Sequence, residues 1–180
     1  MRVRRNPWRS VRKAVLLLAV ALVIVGGVIA GALYIFRDRN PIPEELRSSL
    51  TFSPLVIPSQ TEGFETSNYQ FSTAENNVQI LSYIITVDGR AVTVSQYPKP
   101  QAFDEVDQYQ EQFLSNVVQQ SDTVQTAIGA IAIGSLAKQE GSQVGVILEN
   151  GLIVFLNPDE PIDNSLWRRI GDRLVLQRST

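Results

Sequence analysis

Ser135-Leu136-Ala137-Lys138 has the S-x-x-K spacing of the serine enzymes that react with penicillin. In those enzymes the lysine stands one helical turn from the serine and helps activate a hydroxyl that is inert at its own pKa. Here the four residues lie between Gly134 and Gly141 among β-type residues, where strand alternation separates the two side chains differently. No K-T-G triplet follows. A chance match in a strand accounts for the spacing, and an envelope hydrolase using Ser135 and Lys138 stands as the catalytic alternative.

Two groups of oxygen-bearing side chains have the types for other chemistry. Asp104, Glu105, Asp107 and Glu111 fall on one segment and could supply a general acid and base, as paired carboxylates do in glycosidases. Charge on an amphipathic helix is more simply a solvated face. In "NPDEPIDN", Asn157, Asp159, Glu160, Asp163 and Asn164 offer hard ligands of the kind calcium prefers. That run lacks the D-x-[DN]-x-[DN]-G spacing of a calcium loop, and turn formation followed by helix capping explains it without a metal. Trp167, beside an apolar helix face, reads as core rather than as a ligand platform.

The composition closes further routes. The chain of 180 residues has no cysteine and no histidine. That removes disulfides, thiolate catalysis, cysteine-zinc sites and the commonest general base. The expectation is a protein with no catalytic residues, no cofactor and no bound metal.

What must position any site begins with a membrane segment. Ala14 to Phe36 is 23 residues without a charge, about 34 Å as a helix at 1.5 Å per residue, against a hydrocarbon core of about 30 Å. A signal-peptide core is shorter, about 7 to 15 residues. Ala30-Gly31-Ala32 resembles a cleavage site, so a secreted domain is the alternative. Leu33 to Phe36 continue the apolar run, and Tyr34 and Phe36 suit an interfacial aromatic anchor. The segment therefore reads as a retained anchor.

Charge gives the orientation. Arg2, Arg4, Arg5, Arg9, Arg12 and Lys13 precede the segment, and no acidic residue appears before Asp38. From Pro41 onward there are 8 Lys and Arg against 17 Asp and Glu. The positive-inside rule places the N-terminus in the cytoplasm and the acidic body outside the plasma (inner) membrane. Nucleic acid is an unsuitable partner for that body, because affinity there depends on cations neutralising phosphates. The expected partners are the lipid bilayer and other envelope or membrane proteins. Gly27 and Gly31, four residues apart within the span, form a small-xxx-small face through which a homodimer could pair.

The expected organisation is a basic cytoplasmic tail at 1–13, a transmembrane helix at 14–36, a linker at 37–50 and an extracytoplasmic α+β domain at 51–180. Pro41 and Pro43 stop the membrane helix, and Glu44 to Ser49 can add a helical turn. "LTFSPLVIPSQTEGF" reads as extended chain, confined to an edge by Pro54 and Pro58. Two β-rich runs flank Asp88-Gly89, and another pair flanks Asn150-Gly151; both dipeptides favour type I′ hairpin turns. Phe103, Val106, Gln110, Phe113, Leu114 and Val117 recur at helical spacing. A last helix starts at Asp163 or Asn164 and packs Leu166, Trp167, Ile170 and Leu174. Hairpin signals outnumber crossover signals, so the fold class is α+β, an antiparallel sheet covered by two helices.

"FSPLVIPSQTEGF", the strand pair ending in "VSQYP", the "IG" strand and "GVILENGLIVFLNP" before a short helix carry a loose resemblance over Phe52 to Leu174. They resemble small extracytoplasmic domains of unknown function on single-pass bacterial membrane proteins, including the C-terminal parts of some anti-sigma factors. The resemblance implies fold and placement, with no catalytic residues to carry over. A sigma-binding function is not expected, since the 13 residues before the span are too few for such a domain.

Overall fold

The structure, a computed structural model, describes residues 40–74, 77–106, 108–136 and 139–177. The expected membrane segment, with Gly27, Gly31 and Ala30-Gly31-Ala32, lies outside these residues. Among the described residues no helix is long and apolar enough to cross a membrane.

Strand alternation builds the centre of the fold. In β3 (Gln79–Val87) the residues Leu81, Tyr83, Ile85 and Val87 point to one face and are buried there. The chain reverses at Asp88-Gly89, with φ of 50° and 75°, into β4 (Arg90–Pro98). Two successive positive φ values are what a type I′ turn requires, and this pair supplies them at little cost. The same device at Asn150-Gly151, with φ of 55° and 72°, joins β7 (Gln139–Ile147) to β8 (Leu152–Pro158). β5 (Val118–Thr126) and β6 (Gly129–Leu136) form a third hairpin across Ala127-Ile128. With β2 (Phe64–Thr73) these strands form a seven-stranded antiparallel sheet ordered β2-β3-β4-β8-β7-β6-β5. The fold is α+β.

The sheet's two faces bury different clusters. On one face Leu81, Tyr83, Ile85, Val92, Val94, Val154, Leu156, Ile131 and Ile133 share one buried cluster with Leu166, Trp167 and Ile170 of the C-terminal helix α4 (Asn164–Arg173). Helix α4 begins at Asp163, whose carboxylate accepts the Leu166 N–H at 2.9 Å, and it turns Leu166, Trp167 and Ile170 inward. Trp167 is fully buried directly over Gly145 of β7, where an added Cβ would stand 2.7 Å from Trp167 Cζ3. That close approach is possible only because the position has no side chain.

The opposite face is covered over part of its width. Phe103, Val118, Val144, Val146, Leu148 and Ile153 cluster there beneath α2 (Ala102–Glu105) and α3 (Tyr109–Val117). The sequence pattern predicts one continuous helix here. The structure breaks it at Val106 to Gln108, with Gln108 at φ 64° and Val106 51% exposed rather than on the inner face. The break lets Phe103 meet Tyr109 and Phe113 edge-on, at ring distances of 4.9 and 5.0 Å.

Residues 40–57 form a strap over the first face. Ile42 is 2% exposed, α1 (Glu44–Arg47) follows, and Leu46 and Leu50 pack on the core. Packing therefore starts within the stretch assigned to the linker. Leu55 and Val56 form β1, which pairs with β9 (Val175–Leu176) in a two-stranded ladder between Pro54 and Pro58.

Three glutamine side chains fasten the covering segments to the sheet. Buried Gln96 accepts the Leu55 N–H at 2.7 Å and donates to the Leu55 carbonyl at 2.8 Å. Tyr83 donates its hydroxyl to the same carbonyl at 2.9 Å. Gln143 makes the same paired contact with Ile162, at 2.8 and 3.0 Å, just before α4. Gln79 accepts from Thr51 N–H at 2.8 Å and donates to the Ser49 carbonyl at 3.1 Å. A primary amide carries one acceptor and two donors, so it imitates a ladder residue where no strand is present.

Candidate functional site

The residues singled out for chemistry do not converge. Ser135 is half-buried in β6, paired with Gln119 on one side and Gln143 on the other, so it lies on a strand and not on a helical turn. Lys138 lies outside the described residues, as does Asp107. Asp104 is ion-paired with Lys99 at 2.6 Å, Glu105 accepts from Gln101, and both are exposed, as is Glu111.

The oxygens of "NPDEPIDN" are used locally. Asp159 accepts from the N–H groups of Ala91 and Glu160, Asp163 caps α4, and Asn164 donates to Asp122. Hydrogen bonds from Ser165 and then Leu166 hold the Asp163 carboxyl below the usual aspartate range. The amide of Asn164, with the Thr123 N–H, does the same for Asp122. Each donor favours the ionised form. Among the described residues no group of three or more acidic side chains is placed to hold a metal ion.

The structure instead forms a recess around the loop Pro58 to Gly63, which the sequence reading takes as plain extended chain. The Pro58 carbonyl accepts from the N–H and the hydroxyl of Thr61, at 3.2 and 2.7 Å, and Phe64 N–H returns to the Thr61 carbonyl. Gln60 and Gly63 take positive φ, 69° and 77°. A non-glycine residue held there marks a conformation imposed by its surroundings. The loop therefore stands up as a wall between two depressions.

The larger depression, about 460 Å³, lies between Ser59 to Glu62 on the loop and Asp172, Arg173 and Val175 at the end of α4. The smaller, about 400 Å³, lies between the loop and Phe64 to Thr66. Asp172 is turned toward the neighbouring hairpin, where it accepts the Ala127 N–H at 2.8 Å. Arg169, one turn earlier, donates to Asp88 at 2.6 Å with its guanidinium 5.6 Å from the Phe64 ring centre. This leaves a polar, open recess with amide, hydroxyl, carboxylate and guanidinium groups along its walls. Such a lining can hydrogen-bond a polar chain or headgroup; Thr61's hydroxyl is already committed to Pro58, and no imidazole exists in the chain to activate another.

Sequence reasoning missed this recess, although the proline and glycine bounding "PSQTEG" were a turn signal. Comparison with protein-family models, with curated proteins and with solved structures finds no match to this chain.

Proposed function

We propose that this chain is a single-pass protein of the plasma (inner) membrane, N-terminus in the cytoplasm, that presents an acidic α+β domain outside for binding or assembly and performs no catalysis. One observation carries the reading. Ala14 to Phe36 is uncharged over the length of a bilayer, with six cations before it and an acidic body after it. The loose resemblance to extracytoplasmic domains of single-pass bacterial proteins points the same way. The lipid bilayer is then one partner, and other envelope or membrane proteins are the partners of the outer domain. Its recess beside the Pro58 to Gly63 loop offers donors and acceptors to a polar ligand, with no cofactor required.

Protease protection of spheroplasts, with tags at Met1 and Thr180, tests both placement and orientation. Digestion of the C-terminal tag alone, with the chain retained through a carbonate wash, is the expected result. Release of a product lacking the residues up to Ala32 would replace the anchor with a secreted domain. A pairing role for the span is tested separately by replacing Gly27 and Gly31 with Ile in a membrane association assay. Unchanged helix dimers would rule that pairing out.

A further inference from the structure

We infer that the recess between the Pro58 to Gly63 loop and the end of α4 binds a neutral saccharide through its hydroxyl groups. The inference rests on the reading of the outer domain as a binding domain, and it names the chemistry of the ligand. At about 460 Å³ the recess falls within the range of about 300–1,000 Å³ usual for ligand sites.

The polar side chains that hold the fold together are each committed to a partner. Gln79, Gln96 and Gln143 fasten segments to the sheet, Asp163 caps α4, and Arg169 and Lys99 are each ion-paired at 2.6 Å. The recess is different. Ser59, Gln60 and Glu62 on the loop and Arg173 on α4 all line it, and none of these side chains bonds to another of the described residues. A cation in the last turn of α4 suits the helix dipole. Glu62 on the facing wall is its natural counter-ion, yet the two are not within ion-pair distance. Gln60, exposed at φ 69°, holds its amide in place at a conformational cost that no internal contact of that side chain recovers.

The mixture of groups selects the ligand. Glu62 and Asp172 disfavour an anion, and Arg173 disfavours a cation or a metal ion. A ligand that suits them all accepts from Arg173 and donates to Glu62, while Ser59 and Gln60 can do either. A hydroxyl is both donor and acceptor, and a saccharide presents several side by side on a rigid ring that loses little freedom on binding. A peptide is less suited, because it needs an aromatic or apolar anchor site or an open strand edge. The lining holds no aromatic residue, its apolar members are Pro58 and Val175, and β9 offers an edge of two residues. A few hydrogen bonds in a site open to water give a Kd on the order of 1 mM.

The full-length chain is placed in lipid nanodiscs, which avoid sugar-headed detergents, and ligand protons are observed by saturation-transfer NMR. The probes are cellotetraose, maltotetraose and chitotetraose, with triglycine as the peptide and inorganic phosphate, read by its phosphorus line width, as the anion. The expected result is transfer to at least one tetrasaccharide and binding of neither triglycine nor phosphate. Arg173→Ala, Glu62→Ala and Gln60→Gly should each weaken saccharide binding by about fivefold or more. All three positions are exposed, and glycine accepts the φ of Gln60, so folding is retained. Arg168→Ala removes an equally exposed guanidinium of α4 that does not line the recess, and it should leave binding unchanged. Saccharide binding that the three variants leave intact, or that Arg168→Ala lowers equally, overturns the site. Triglycine or phosphate binding that is lost in Arg173→Ala overturns the saccharide and keeps the recess as a binding site. No binding of any probe overturns the recess altogether, while protease protection still decides the membrane placement on its own.

Discussion

Replacing Gln96 with leucine tests the amide fastening where it is most buried. The substitution keeps side-chain volume close to the original and removes two hydrogen bonds to Leu55. The consequences for the two backbone groups differ. Leu55 N–H loses the acceptor at 2.7 Å and is left in a site from which water is excluded, since Gln96 and Leu55 are both fully buried. An orphaned buried donor costs about 1–3 kcal/mol. The Leu55 carbonyl keeps the Tyr83 hydroxyl at 2.9 Å and remains satisfied. Tyr83→Phe alone removes one bond to an acceptor that Gln96 still serves, and should cost about 0.5–1.5 kcal/mol. In the double variant the carbonyl is orphaned too, so the combined loss should exceed the sum of the singles by about 0.5–3 kcal/mol.

The assay needs one fluorophore. The chain has two tryptophans, Trp8 and Trp167, so a Trp8→Phe background leaves the fully buried Trp167 as the reporter of the fold. Urea unfolding of the full-length chain in mild detergent then gives midpoints. With a urea slope of about 1–3 kcal/mol per molar, a loss of about 2 kcal/mol moves the midpoint down by roughly 1 M. A Gln96→Leu midpoint equal to that of the parent would refute the reasoning. So would strict additivity in the double variant, because it would mean that Gln96 and Tyr83 do not share the Leu55 carbonyl.

Gly145→Ala should destabilise the fold by about 1–3 kcal/mol and shift Trp167 emission, because the new methyl stands 2.7 Å from Cζ3 of Trp167 and 3.0 Å from Cγ2 of Ile131. An unchanged midpoint with unchanged emission would show that α4 does not sit directly on the sheet. Asp163 has its carboxyl pKa lowered by Ser165 and Leu166, so its contribution is present above the ordinary aspartate value of about 3.9 and fades as pH falls through the lower folded value. Asp163→Asn keeps an oxygen acceptor but cannot titrate, and its acid limb below pH ~4 should be flatter than the parent's. Parallel acid limbs would remove Asp163 from the account.

The hairpins at Asp88-Gly89 and Asn150-Gly151 were legible because their signals are local: two residues that accept positive φ between alternating apolar runs. The turn at Ala127-Ile128 lacks such a pair, so the sequence signals no hairpin there. Helical spacing over Phe103 to Val117 was equally plain, yet the chain breaks at Gln108. Aromatic packing of Phe103 against Tyr109 and Phe113 is a tertiary gain that period counting does not register. The Asp163 cap was readable from residue type and position. The glutamine fastenings were not, since Gln79, Gln96 and Gln143 find partners 28, 41 and 19 residues away and an amide leaves no periodic trace. The recess was hidden for a related reason, because Ser59 to Glu62 and Asp172 to Val175 meet only once β1 and β9 pair.

The amides also bear on how the fold responds to pH. Both covering segments, the strap at Leu55 and the start of α4 at Ile162, are fastened to the sheet by groups that do not titrate. The perturbed groups lie outside the middle of the pH scale. Asp122 and Asp163 are lowered, so what they contribute is lost only in acid. Burial raises the phenols of Tyr69, Tyr83 and Tyr97, so their neutral forms favour the fold up to the ordinary tyrosine pKa of about 10 and that contribution fades above it. With no histidine, no side chain has an ordinary pKa between these limits. The urea midpoint should therefore be level from about pH 5 to pH 9, falling below about 4 and above about 10. A midpoint that slopes across pH 5 to 9 would mean that a group between those limits couples to folding, and the account of the fastenings would fail. A level midpoint would show that these fastenings hold without any titrating group across that range.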